Sequence, residues 1–96
     1  MDKKIYFNNL YDYYYLLLTD NQRFYYEDYY FKDLSLSEIA TNNNVSRNAV
    51  HGQIKNAVEK LEFYEETLEL YKKGKKIEEL IQDIDPDLRK KIEELI

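Results

Sequence analysis

Ninety-six residues amount to about one domain, and they carry 19 Asp and Glu against 14 Lys and Arg for a net charge of −5, with no Cys. These numbers exclude two independent domains, a disulfide framework, a thiolate metal site and a Cys nucleophile. They also argue against a strong general binder of nucleic acid, because phosphate contacts want clustered Lys and Arg.

The opening residues lead into no apolar leader, and no apolar run approaches the roughly 20 residues of a membrane span, so a cytoplasmic protein with no membrane partner is expected. Two Gly and one Pro are the only strong breakers in the chain. That scarcity predicts an all-α helical bundle, with a helix-turn-helix motif and a C-terminal helical extension. Tyr25, Tyr26, Tyr29 and Tyr30 recur at helix spacing although tyrosine alone would suit strands.

The spacing predicts a first helix over Ile5 to Leu17, with Leu10, Tyr13, Tyr14 and Leu17 facing inward. Thr19 restarts the chain as an N-cap with Gln22 completing a capping box, and a second helix follows from Asp20 to Lys32. Ser35 and Glu38 repeat that pattern and open a short third helix, Leu36 to Asn42, whose end the Asn42-Asn43-Asn44 run can turn through a left-handed residue. Ser46 caps a fourth helix, lined on one face by Val50, Ile54, Ala57, Val58 and Leu61, which continues toward Lys73 and ends at Gly74.

Beyond Gly74 the stretch Lys75-Lys76-Ile77-Glu78-Glu79-Leu80-Ile81 recurs letter for letter as Lys90 to Ile96. Both copies read as amphipathic helices. Asp85-Pro86-Asp87 starts the second, since Pro at the first helical position loses no hydrogen bond and Asp suits the N-terminal dipole. The expected division is therefore a helix-turn-helix domain over 1–73, its motif at about 34–61, and an amphipathic tail over 74–96.

Within the motif, Ala40 lets two helices approach, Val45 plugs the turn, and Val50 with Ile54 seats the second helix on the first. This leaves Ser46, Arg47, Asn48, His51 and Lys55 as candidate DNA contacts. Arg forks onto guanine or phosphate, Asn onto adenine, and the free amides behind Ser46 can hold a phosphate. The same face also fits a solvated surface of a protein-binding domain.

No catalytic site, metal or cofactor is expected, because the one histidine, His51, has no partners at triad or metal-ligand spacing. The pairs Glu65-Glu66, Glu78-Glu79 and Glu93-Glu94 lie beside Lys at helical spacing and read as solvated ion-pair faces. The tyrosines could form a base-stacking platform, but their spacing points to a core with hydroxyls at its rim.

Leu17-Leu18-Thr19-Asp20-Asn21-Gln22, Tyr29-Tyr30, Leu34 to Ala40, Val45 to Val50 and Ile54-Lys55 together resemble the YlxM-like family of small bacterial proteins, over roughly Leu10 to Lys73. The motif resembles the C-terminal promoter-binding region of sigma factors, which bears on fold alone. The family resemblance implies a DNA-binding regulator tied to the signal recognition particle pathway through the genes of its GTPases. The alternative is an adaptor that binds that pathway's GTPase or RNA and leaves DNA untouched. Asn44 stands where the family usually has Gly at the turn, and Asn43 where a bulky apolar residue usually seals the first motif helix. His51 and Gly52 replace bulkier or acidic residues. A homodimer is also expected, because Ile77, Leu80, Ile81, Ile84, Leu88, Ile92, Leu95 and Ile96 form apolar stripes on helices too short to stand alone, and two-fold pairing would suit two half-sites.

Overall fold

The computed structural model describes residues 2–96 and leaves Met1 outside. Among the described residues the chain forms six α-helices and no strand: α1 (Asp2–Tyr14), α2 (Asp20–Tyr30), α3 (Leu36–Asn43), α4 (Arg47–Leu68), α5 (Leu70–Leu80) and α6 (Pro86–Glu93), with a 3₁₀ turn at Tyr15–Leu17 after α1. The fold class is all-α.

The predicted caps are all present. Thr19 and Gln22 form a reciprocal capping box on α2, and Ser35 and Glu38 form one on α3. Ser46 Oγ accepts from the Ala49 amide at 3.0 Å and Asp85 accepts from that of Leu88 at 3.1 Å. In each case a side-chain oxygen satisfies an amide that the first helical turn cannot. The amide of Ser35 and the Ser35 side chain together pull the Glu38 carboxyl below the usual range.

Three expected helix ends move. α1 stops at Tyr14, and the tighter 3₁₀ turn swings Leu17 out to the surface and Leu18 into the core. Leu10 and Tyr14 face inward as expected, but Tyr11 and Leu18 do so in place of Tyr13 and Leu17. α2 ends at Tyr30 because Asp33 turns the chain left-handed at φ 56°, a conformation that Asp tolerates better than most residues. Gly74 ends nothing. The long helix breaks five residues earlier at Glu69, itself left-handed at φ 55°, and Gly74 lies buried within α5. A Cβ there would come within 2.5 Å of the Tyr13 hydroxyl, which would have to swing aside for a larger residue.

Two clusters make the core. One joins Leu10, Tyr11, Tyr14, Leu18 and Tyr26 to Ala57 and Leu61 of α4, and the other joins Ile39 and Ala40 to Val50 and Ile54. Tyr30 packs against both. The rings of Tyr11 and Tyr26 stack at 4.5 Å, and those of Tyr26 and Tyr30 at 4.4 Å. Hydroxyls at the edge of this layer find acceptors: Tyr26 donates to Asn8 at 2.7 Å, Tyr14 to Glu65 at 2.7 Å, and Tyr11 to Glu27. The tyrosines are core, with polar tips satisfied at its rim.

Burial and carboxylate partners hold these phenols in their protonated form, with Tyr14 pushed up to about 12 and Tyr11 and Tyr26 higher still. Unfolded tyrosine ionises near pH 10, so the stability these groups contribute is fully present below about pH 10 and falls as pH climbs toward the folded values. We expect loss of helical circular dichroism to coincide with a cooperative rise in tyrosinate absorbance above about pH 10. Smooth ionisation of every tyrosine with the helices intact would contradict the burial described here.

Candidate nucleic-acid interface

The turn between α3 and α4 is closed by backbone. The Asn44 carbon frame is left-handed (φ 54°, ψ 45°), its N–H reaches back to the last turn of α3, and the Val45 N–H donates to the Ala40 carbonyl at 3.0 Å. Asn supplies this conformation without Gly because its short polar side chain tolerates it. Asn43 meets the core loss at its own position differently: its amide donates to the Ile39 carbonyl at 2.8 Å, one turn back. Val45 does not plug the turn, being 41% exposed. Tyr25 and Tyr30 of α2, Leu34 of the segment before α3 and Leu36 at the start of α3 cover the motif instead.

With Val50 and Ile54 buried on this seat, the opposite face of α4 is fixed. Arg47, His51 and Lys55 follow one another every four residues along the edge between the buried stripe and that outer face, all exposed, with Asn48 exposed beside Arg47. Ser46 is exposed at the head of the helix, where its hydroxyl satisfies one amide and leaves the first turn's remaining N–H groups free to meet an anion. The structure thus brings Ser46, Arg47, Asn48, His51 and Lys55 onto one continuous surface.

Its electrostatics differ from those of the whole chain. From Ile39 to Val58 there are 20 residues without a single Asp or Glu, and they contain Arg47, Lys55 and His51. The first carboxylate along the helix is Glu59, whose Oε1 lies 4.0 Å from Lys55 Nζ. Both side chains are well exposed, so this pair is worth little and leaves the Lys55 charge available. Gly52 sits between these residues with no atom within 4 Å of where its Cβ would stand, so no packing demand explains it and the surface there is open.

A family model described as "Putative helix-turn-helix protein, YlxM / p13 like" matches residues 1–96. The chain belongs to this family, UPF0122. Among its curated relatives, a UPF0122 protein of Fusobacterium nucleatum is 42% identical over 90 residues, covering 94% of this chain and 87% of the relative. One from Halalkalibacterium halodurans is 45% identical over 84 residues, 88% of this chain and 77% of its own. One from Malacoplasma penetrans reaches 58% over 59 residues, 62% of this chain and 55% of its own. The UPF0122 chain has no helix, among the described residues, long and apolar enough to cross a membrane.

Sequence reasoning placed Glu65 on a solvated ion-pair face, and the structure of this UPF0122 protein corrects this, because its carboxylate is buried and bonded to a phenol and two amides. Glu65 is buried at the joint between α4 and α5, where Oε1 accepts from the Tyr14 hydroxyl and from the Tyr71 N–H at 3.1 Å, and Oε2 accepts from the Lys72 N–H at 3.0 Å. The Tyr14 oxygen in turn accepts from the Leu70 N–H at 3.0 Å. The three free amides at the start of α5 are therefore all satisfied, by a carboxylate from the previous helix and a phenol from α1. A signal was available: Glu65 falls four residues after Leu61, on the same stripe as Val50, Ile54 and Ala57.

Proposed function

We propose that this is a non-enzymatic, cytoplasmic regulatory protein that binds DNA through Ser46, Arg47, Asn48, His51 and Lys55. The observation that carries the reading is the acid-free stretch from Ile39 to Val58, which sets three basic side chains in one exposed row on the second helix of a helix-turn-helix. The link to the signal recognition particle pathway is drawn from the family resemblance. Arg47→Ala and Lys55→Ala should each weaken binding across all duplex sequences and flatten the salt dependence by about one unit of slope. Gel shifts over a salt series measure this. Unchanged binding in both variants, or none to any duplex at about 50 mM salt, where phosphate contacts are strongest, would remove the DNA reading.

The second reading, an adaptor for the signal recognition particle GTPase or its RNA, is favoured by the net charge of −5 and by Glu59 and Glu62 further along α4. A pull-down scored separately for nucleic acid and for protein divides the two.

The reading includes a homodimer, with residues 1–73 as the binding domain and 74–96 devoted to assembly. Its support is unpartnered apolar surface: Phe63 is 60% exposed on α4, Leu80 69% on α5, and Leu88 is half-exposed on α6. α5 spans positions 73 and 74, so this boundary falls within a helix.

A further inference from the structure

Gly52 is a glycine that the fold does not require. It lies inside α4 without a left-handed backbone, and nothing in the chain stands within 4 Å of where its Cβ would be. Glycine is among the least favourable residues for a helix interior, so this one weakens α4 and no contact within the chain needs it. The room it leaves points outward. At about 100° per residue, Gly52 lies about 200° from Val50, about 160° from Ile54 and about 180° from Leu61, on the side opposite the buried stripe.

Asn48 and Asn56, one turn before Gly52 and one turn after, share that outer line, and both are exposed. No acidic residue interrupts the line from 48 to 56. Glu59 follows it, paired with Lys55. His51 and Lys55 stand to one side, over the groove that Tyr29, Tyr30 and Leu36 border. To the other side Asn56 and Gln53 border a second groove against Thr19 to Gln22 at the start of α2.

A helix about 10 to 12 Å across just enters a major groove about 12 Å wide, and the line farthest from its buried face meets the base edges. Asparagine is short, so its amide reaches those edges only from a deeply seated helix. A longer side chain at position 52 would touch the groove floor first and hold both amides away. Glycine lets the backbone settle between them. The asparagine amide offers one donor and one acceptor, which match N7 and N6 of adenine. Eight helical residues span about 12 Å and base pairs rise about 3.4 Å, so the two amides address pairs about three to four steps apart.

We infer that Asn48 and Asn56 each read an adenine, in a site whose two A·T pairs lie about three to four base pairs apart, and that Gly52 is the gap that lets them reach. This rests on the DNA-binding reading given above and adds Asn56 and Gly52 to its contacts. Sequence preference then comes from the uncharged outer line, and charge-driven affinity from the basic row at its edge.

Selection of bound sequences from a random duplex pool by the full chain, with affinities measured over a salt series, tests this. The expected result is a preferred site with two A·T pairs at that spacing. Asn48→Ala and Asn56→Ala should each erase the preference at one of the two positions and weaken the preferred site about tenfold or more. Binding to random duplex and the salt slope should stay as in the parent, because no phosphate contact is lost. Gly52→Gln should melt at or above the parent, since a better helix former replaces glycine in open space, yet bind the preferred site at least about tenfold more weakly. A melting point that falls would make Gly52 a structural residue and overturn its role as a gap. Unchanged binding in Gly52→Gln, or a preference that survives both asparagine variants, would overturn the inference and leave DNA binding itself standing. So would a binder with no preference at all. A chain that binds no duplex would remove both.

Discussion

Val50→Asp should remove much of the protein's stability and lower its melting temperature by about 20 °C or more. Val50 is fully buried among Ile39, Ala40 and Ile54, so the substitution puts a carboxylate where no donor or cation can reach it. The cost of an unpaired buried charge is about 4 kcal/mol or more, against a total stability of about 5 to 10 kcal/mol for a domain of this size. Its place early in α4 brings a favourable dipole interaction of only about 0.5 kcal/mol, too small to matter. Ala49→Asp, one residue earlier and exposed, serves as the control and should melt close to the parent. If Val50→Asp melted with it, the register of α4 on α3 would be wrong, and with it the whole assignment of an outer face.

Glu65→Leu should come second in size and act at a different place. It fills the volume but strips the acceptor from the Tyr14 hydroxyl and from the Tyr71 and Lys72 amides, at a cost of about 3 to 5 kcal/mol for buried donors left unpaired. The backbone there is already strained by the left-handed Glu69, worth about 1 to 2 kcal/mol, which the network holds in place. Tyr14→Phe should cost less, about 2 kcal/mol, since it removes one donor to Glu65 and the acceptor for the Leu70 amide. The double variant should cost less than the sum, because both changes break one network. Hydrogen exchange should show the amides of α5 opening first in each variant, while those of α3 and early α4 stay protected. Uniform protection across α5 in Glu65→Leu would show that the carboxylate does not hold the joint.

The parts of this protein that were legible beforehand are those governed by short-range rules. Thr19 with Gln22, Ser35 with Glu38, Ser46 and Asp85 with Pro86 mark helix starts because a cap satisfies amides two or three residues away, so its signal is written locally. The core stripe of Val50, Ile54, Ala57 and Leu61 was legible because helical periodicity alone sorts inside from outside. That stripe also placed Asn48 and Lys55 on the outer face, His51 at its edge and Arg47 in the first turn, and the structure has all four exposed.

What the tertiary structure decided are the points where a neighbour from elsewhere in the chain outweighs the local preference. Gly74 reads as a helix end by propensity, yet α5 runs through it because the break falls at Glu69, and it lies buried under the hydroxyl of Tyr13 from α1. Glu69 carries no turn signal of its own; it bends the chain because Glu65 and Tyr14 wait to receive the next three amides. Val45 looks like a plug until α2 is seen to cover the motif with Tyr25 and Tyr30. Local hydrogen bonding and periodicity fix where helices begin and which face they bury, whereas breaks, crossings and buried charges depend on partners that only the folded chain brings within reach.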